Sequence, residues 1–251
     1  MQRDELVDYL NEYFRVEEIE DKSLNGLQVQ GPDDVRRVAF AVDGCQASFE
    51  RAVAEEADLL IVHHGLFWGE PLPLVGPHFR RVRSLIEGGC GLYAVHLPLD
   101  MHPHVGNNAE MVRRLGLKER EPFGEYHGVE IGFAGRLEPP LDISALIGRL
   151  VEALERPPIR VLDYGPKAIE YVGCVSGGAA SMMDQVADAG LDAYVTGETS
   201  HTFFHQAFER ELNVLFAGHY ATETLGVKAL ARHLEEQFEL RTVFFEIPTG
   251  M

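Results

Sequence analysis

The sequence has few cysteines, few basic residues and no long apolar run, and each shortage excludes a class of protein. Its three cysteines lie far apart without a CxxC pair, which is typical of small buried side chains in a reducing cytoplasm. No apolar run approaches the roughly 20 residues that span a bilayer, and the charged N-terminus lacks the apolar core of a signal peptide. We therefore expect a cytoplasmic protein that makes no membrane contact.

The shortage of basic residues limits the kinds of molecule that the protein can bind. Lys and Arg number 22 against 40 Asp and Glu, which gives a formal net charge of −18. Such a surface repels phosphate backbones and anionic lipids, which argues against general nucleic-acid binding. A small anionic substrate stays compatible with this charge, because a bound metal ion supplies local positive charge. The 251 residues, 45% of them hydrophobic, suffice for one large or two small domains.

Strand-like and helix-like segments alternate along the chain. Leu59–Val62 and Gly91–Val95 have the apolar, branched composition of buried strands, and amphipathic helical patterns separate such segments. This alternation indicates right-handed βαβ units and largely parallel sheets. The polar, turn-rich residues 118–128 are the best candidate boundary. We therefore expect an α/β protein with lobes at 1–125 and 126–251, in which the C-terminal segment can pack back on the first lobe.

The second lobe repeats part of the first. When Val38–Gly65 is placed on Val172–Thr199 without gaps, both segments show a strand, a turn with glycine, a helix, an aspartate and a second strand. Asp58 then falls on Asp192. Chance similarity between βαβ units is the alternative explanation. The repeat predicts two related α/β lobes with mixed, largely parallel sheets, and we expect a metal site between them.

Two adjacent histidines, His63 and His64, follow the buried strand Leu59–Val62 directly. Ligands of open α/β sheets bind beyond the carboxyl ends of the strands, and neutral imidazole is the commonest metal ligand. The alternative is that both rings only cap loop carbonyl groups. Because successive side chains of a strand point to opposite faces, the pair would reach two ions more easily than one.

Two further strand ends carry polar clusters. One is residues 96–104, which include His96 and Asp100; the other holds His219 and Glu223. If a helix begins by His219, the spacing of four places His219 and Glu223 on one face, where they can bind a metal or form a surface ion pair. Two ions about 3.5–4 Å apart need a bridging carboxylate, either Glu223 or Asp100. Three imidazoles and two carboxylates suit zinc, iron or manganese better than calcium or magnesium.

The motifs VHHGLFW, HLPLDMHPHVGNNAEM, VTGETSH and GHYATE, in this order after NGLQVQG, resemble the GTP cyclohydrolase 1 type 2 family, also called the Nif-three-like dinuclear-metal family. The resemblance spans nearly the whole chain, whose length suits the short form without a central inserted domain. It implies a dinuclear site in which the glutamate bridges two divalent ions, and a ring-shaped homohexamer. The implied metal ligands are His63, His64, Asp100, His219 and Glu223.

The function that we predict is metal-dependent hydrolysis of a nucleotide or related phosphorylated small molecule; the family name points to opening of the guanine ring of GTP. His96, His201 and Glu198 are the candidates for proton transfer, with structural hydrogen bonding as their alternative. The glycine turn 176–178 could either cradle a phosphate or form a tight strand-to-helix connection. A metal-binding scaffold without turnover is the rival hypothesis.

Other residues near the predicted site receive structural roles. We expect Trp68 to line the pocket and Asp43 to cap a turn. His102 and His104 flank a proline and are predicted to be solvated loop residues. Asn107, three residues before a glutamate, resembles the start of a capping box.

Overall fold

The computed structural model describes all 251 residues and divides them into two compact units. The first unit comprises Met1–Leu99 and Val227–Ile247, and the second comprises Asp100–Gly226 and Pro248–Met251. None of the helices combines the length and the apolar character that a membrane crossing requires.

Helices and strands alternate along most of the chain, as the sequence pattern predicts. The chain begins with α1 (Arg3–Tyr13), β1 (Gly26–Val29), β2 (Arg37–Asp43), α2 (Gln46–Ala54), β3 (Leu59–His64), α3 (Gly76–Gly88), β4 (Gly91–Ala94) and the short α4 (Leu97–Asp100). It continues with α5 (Asn107–Leu115), β5 (Lys118–Tyr126), β6 (Val129–Leu141), α6 (Ile143–Leu154), β7 (Arg160–Asp163), β8 (Ile169–Val175), α7 (Met183–Asp188), β9 (Ala193–Thr196), α8 (Thr202–Glu209) and β10 (Asn213–Phe216). It ends with α9 (His219–Phe238) and β11 (Arg241–Phe244).

The first unit contains a five-stranded sheet in the order β1-β4-β3-β2-β11. Only β1 runs antiparallel to its neighbour; β4, β3, β2 and β11 are parallel, as predicted. The side chains of Leu59–Val62 in the central strand β3 are buried on both faces, which explains why these four residues are all apolar. Each fully buried Leu, Ile or Val contributes roughly 1.5–3 kcal/mol relative to exposure, so the apolar part of β3 is stably packed and supports His63 and His64 at its end.

The second unit contains a six-stranded mixed sheet in the order β5-β6-β8-β9-β10-β7. Its central strands β8, β9 and β10 are parallel, but the other three pairings are antiparallel, so this sheet is less parallel than the sequence predicted. The polar stretch taken as a domain boundary is the strand β5, most of whose side chains are exposed because it lies at the sheet edge. The division after residue 125 was therefore misplaced, and the pairing of β11 with β2 assigns the C-terminal strand to the first unit.

The internal repeat corresponds to a repeated structure in the two units. In the first unit, Asp58 Oδ2 accepts hydrogen bonds of 2.8 and 2.9 Å from two backbone N–H groups at the start of β2. In the second unit, Asp192 Oδ2 accepts two bonds of 2.9 Å at the start of β8. The strand pairings β2–β3 and β8–β9 share their register: Val38 pairs with Leu59, and Val172 pairs with Ala193. Each aspartate thus joins the two strands of an equivalent parallel pair, Asp58 in β2–β3 and Asp192 in β8–β9.

Candidate metal centre

Three histidines of the first unit meet at the carboxyl ends of neighbouring parallel strands. His63 and His64 end β3, and His96 follows β4, so the sheet brings the three rings to one edge. One potential ligand atom from each residue lies within 4.8 Å of the others. The ring centroids are separated by 4.6 Å for His63 and His64, 5.0 Å for His63 and His96, and 5.6 Å for His64 and His96. The rings of His63 and His64 thus lie side by side, although successive side chains of a strand point to opposite faces.

The rings of His63 and His64 are held from the two strands that flank β3. His63 Nδ1 donates to the carbonyl oxygen of Val95 at 3.0 Å, and His64 Nδ1 donates to Asp43 Oδ1 at 2.8 Å. The predicted turn-capping role of Asp43 is therefore wrong, because its carboxylate orients His64. Both contacts place the proton on Nδ1 and the lone pair of the neutral ring on Nε2, which is the usual arrangement of metal-binding histidines.

His96 is held by Asp21, a carboxylate that lies far from it in sequence and in none of the motifs. Its Nδ1 donates to both oxygens of Asp21, at 3.0 and 3.1 Å. Asp21 is itself fixed, since it accepts from the backbone N–H groups of Ser23 and Leu97 and from the side chain of Asn25. Burial raises the pKa of Asp21, but the hydrogen bond and charge of His96 and the other donors outweigh burial and lower the pKa to about 2. Asp21 is thus an ionised anchor for His96.

The lowered pKa of Asp21 predicts that the stability of the fold depends on pH. Because the folded-state pKa lies below the unfolded value near 4, Asp21 stabilises the fold above that value and loses this contribution as the pH falls towards about 2. We expect Asp21→Asn to lower the free energy of unfolding at pH 7, and the difference from wild type to shrink between pH 5 and pH 2. Urea unfolding at several pH values measures this, with Ser23→Ala as a non-titrating control. A difference that is constant with pH would contradict the assignment.

The second unit places a histidine and two glutamates at the start of α9. His219 Nδ1 donates to Glu198 Oε1 at 2.6 Å, and its Nε2 lies 3.0 Å from Oε1 of the buried Glu223, one helical turn further on. Burial lowers the pKa of His219, but hydrogen bonds and charges from Glu223 and Glu198 outweigh it and raise the pKa to about 9. A metal ion would take the place of a proton in this electronegative setting. Glu198 thus orients His219 through a hydrogen bond. This contact agrees with the structural role that was the alternative to proton transfer for Glu198.

Asp100 is another buried carboxylate of this unit. Its Oδ1 accepts from Asn107 Nδ2 at 2.9 Å and from Ser176 Oγ at 2.8 Å. Asn108 ties the same region together, because it donates to the Asp100 carbonyl and accepts from the Ser176 backbone N–H. A carboxylate oxygen of Asp100 and one of Glu223 lie within 4.8 Å of each other. Asn107 therefore holds a candidate ligand, and the predicted capping box, in which Asn107 would precede the helix, is wrong because Gly106 occupies the N-cap of α5.

Gly177 allows the strand-to-helix turn after β8 to approach Glu223 closely. A Cβ at this position would collide with Glu223 Oε1 and lie 3.3 Å from His219 Nε2, and the backbone has φ +65°. The backbone N–H of Gly177 donates to Thr222 Oγ1 at 3.0 Å. That N–H is thus used within the fold, which favours the tight-turn interpretation of residues 176–178 over the phosphate cradle.

The remaining predicted residues lie in varied environments. Trp68 is 38% exposed, donates from Nε1 to the Gly65 carbonyl, and has its ring centroid 5.0 Å from that of His96. His102 is buried and its Nδ1 accepts from the backbone N–H groups of His104 and Val105, so its predicted solvation is wrong. His104 is exposed as predicted. His201 is exposed immediately before α8, and its proton-transfer role stays a prediction.

The donor atoms fit a divalent transition metal. The first unit supplies clustered imidazole nitrogens, and the second supplies an imidazole and two buried carboxylates, which is a set that suits zinc, iron or manganese. Each of the four histidines donates its Nδ1 proton to an oxygen, the outer contact that orients metal ligands. The sequence pattern indicates the donors, but it does not indicate most of the contacts that hold them in place. These contacts are made by Asp21, Asn107 and Ser176, and Gly177 allows the close approach to Glu223.

Comparison with known proteins places the chain in a family. Residues 1–250 match the family model described as Duf34/NIF3 (NGG1p interacting factor 3). A relative from Deinococcus radiodurans, named GTP cyclohydrolase 1 type 2 homolog, is 46% identical over 249 residues, which covers 99% of this chain and 94% of that protein. A relative of the same name from Pyrococcus abyssi is 41% identical over 251 residues and covers 100% of both chains. The crystal structure of TTHA1606 from Thermus thermophilus has a TM-score of 0.93, with 47% identity and 100% coverage of both chains.

Two α/β units, each carrying potential metal ligands beyond the ends of its central strands, define the chain as a candidate metalloprotein. The chain belongs to the Duf34/NIF3 family. This membership confirms the resemblance that the ordered motifs indicated.

Proposed function

We propose that the chain binds two divalent transition-metal ions through His63, His64, Asp100, His219 and Glu223, and uses them to hydrolyse a nucleotide or a related phosphorylated small molecule. The observation that carries the metal proposal is the imidazole cluster of the first unit, in which every Nδ1 is hydrogen-bonded to an oxygen. The buried carboxylates of the second unit supply the hard donors that such a set needs for a pair of ions.

The geometry within each unit supports distinct tasks for these residues. Glu223 is buried and has Gly177 in close approach, which suits a carboxylate that must present both oxygens in a fixed orientation. Asp100 is restrained by two donors, so its orientation is also fixed before any ion binds. Bound ions would supply Lewis acidity, which activates water near neutral pH and polarises a substrate oxygen. His201, which is exposed, would carry protons to and from solvent.

The substrate class rests on the relatives. Proteins up to 46% identical carry the name GTP cyclohydrolase 1 type 2 homolog, which points to GTP as the first nucleotide to test. Trp68, half-exposed beside two of the three imidazoles, is a flat apolar surface against which a purine ring can pack. Its place in the first unit is compatible with the predicted role of lining the pocket.

The test combines metal analysis with a substrate screen. Protein purified without chelators is analysed for zinc, iron and manganese, and is then assayed against GTP, other nucleotides and phosphoesters. Turnover that chelation abolishes and metal restores would support the hydrolase. A full complement of metal with no turnover of any substrate in the screen would favour the scaffold hypothesis instead. His201→Ala sharpens the distinction, because loss of hydrolysis with metal retained requires an enzyme.

The only tryptophan of the chain gives a direct signal for metal binding. The Trp68 ring lies 5.0 Å from that of His96 and 5.8 Å from that of His64, between ring centroids. We expect paramagnetic Co²⁺ to quench the Trp68 emission strongly, because such quenching requires short distances, and we expect Zn²⁺ to quench it little. A chelator should reverse the effect. Bound cobalt that leaves the emission unchanged would place the metal away from these imidazoles.

The proposal includes a ring-shaped homohexamer in the cytoplasm, as the family resemblance implies. Light scattering coupled to size-exclusion chromatography should give a mass about six times that of one 28.0 kDa chain. A monomeric mass would remove the assembly from the proposal without affecting the metal ligands.

A further inference from the structure

We infer that His96 is a metal ligand, which completes a set of three imidazoles with His63 and His64, and that Asp21 is the positioning residue that holds it. This inference rests on the proposed metal binding and adds a sixth protein ligand to it. It replaces the proton-transfer role that the sequence suggested for His96.

The first argument is the position of the ring. A potential ligand atom of His96 lies within 4.8 Å of one from His63 and one from His64, so the three nitrogens can converge on one ion after small adjustments. Three imidazoles with a position left for water or substrate form a common catalytic zinc site.

The second argument is the state of the ring nitrogens. A carboxylate accepts hydrogen bonds and donates none, so the 3.0 and 3.1 Å contacts to Asp21 place the proton of the neutral ring on Nδ1. The lone pair then lies on Nε2, as the contacts of His63 and His64 also require. The three histidines therefore share one tautomer, and a carboxylate or carbonyl oxygen stands behind each of them.

The third argument is the rigidity of the support. The Asp21 side chain is 3% exposed and receives hydrogen bonds from Ser23, Asn25 and Leu97 as well as from His96. Asn25 also accepts the backbone N–H of His96 through Oδ1 at 2.7 Å. The segment 21–25 thus fixes both the backbone and the ring of His96 before an ion binds. A carboxylate so fully bonded in place is suited to hold an imidazole in one orientation.

The experiment measures zinc affinity by competition with a chromophoric chelator and records the visible spectrum of the Co²⁺-loaded protein. We expect His96→Ala to weaken binding of at least one ion by about 100-fold or more and to change the cobalt bands. Asp21→Asn should weaken it by about 10- to 100-fold, the usual cost of losing an outer hydrogen-bond partner. Two matched variants of the same unit, His78→Ala and Asp58→Asn, should keep the wild-type affinity. Circular dichroism and thermal unfolding establish that each variant is folded.

Wild-type zinc affinity and an unchanged cobalt spectrum in folded His96→Ala would overturn the inference and leave the five-ligand proposal intact. Failure of the wild-type protein to bind zinc or cobalt would overturn both. If His96→Ala does not fold, Asp21→Asn decides, because Asn preserves the shape of the side chain. Wild-type affinity in that variant would then refute the positioning role and the ligand assignment that depends on it.

Discussion

Glu223→Ala is expected to reduce the bound metal from two ions per chain to about one or fewer, the largest effect of any single substitution at the site. The buried Glu223 carboxylate lies 3.0 Å from His219 and within 4.8 Å of an Asp100 oxygen, so its removal affects both neighbouring donors. Elemental analysis after loading with excess metal and desalting gives the number of ions per chain.

The matched control is Glu236→Ala, which removes an exposed glutamate from the same helix α9 and should leave the metal content unchanged. Two ions retained in Glu223→Ala would refute the bridging assignment. A loss in both variants would indicate damage to the helix instead of the loss of a ligand.

Gly177→Ala is expected to weaken metal binding about 10- to 100-fold although residue 177 provides no ligand. The added methyl group would collide with Glu223 Oε1 and press on His219. Gly190→Ala is a close control: its φ of +67° matches the +65° of Gly177, but no atom lies within 4 Å of the new methyl group. Both variants should lose about 1–2 kcal/mol of stability from the left-handed backbone conformation.

Only Gly177→Ala should also lose metal affinity. Chemical denaturation gives the stability of each variant and chelator competition gives the affinity. Equal affinities in the two variants would show that the turn after β8 does not restrain Glu223, whereas a loss in Gly190→Ala would show that backbone strain alone perturbs the site.

The sequence could predict that several candidate ligands lie at the ends of strands, because a buried strand forms a short, recognisable apolar run. A short apolar run such as Leu59–Val62 identifies a buried parallel strand, and a histidine pair directly after it must lie at the carboxyl edge of the sheet. The internal repeat could also be predicted. Both segments keep an aspartate at the same position, since Asp58 and Asp192 make equivalent backbone contacts in the two units. In both cases the information lies in the order of residues along continuous segments of the chain.

The supporting residues could not be predicted, because their partners are distant in sequence. Asp21 contacts His96 across 75 residues, and Ser176 contacts Asp100 across 76. Aspartate, serine and asparagine in loops commonly cap turns, so local context favoured a local role for Asp43 and Asn107 and none for Asp21. Only the folded backbone reveals which imidazole or carboxylate each of them holds.

The domain boundary failed for a different reason. The strand β5 carries mostly exposed, charged side chains, since it lies at an edge of the second sheet and pairs only with β6. Hydrophobic alternation identifies strands that bury a face, and β5 buries little of either. A polar stretch therefore indicated a linker where the chain forms a hairpin.

The most direct test of the account is a crystal structure of the metal-loaded protein with anomalous diffraction recorded above and below the absorption edge of the bound metal. We expect two anomalous peaks per chain, coordinated by His63, His64, Asp100, His219 and Glu223, with His96 Nε2 bound to one of them. No anomalous peak, or peaks bound to other residues, would contradict the claim that these side chains form a two-metal centre.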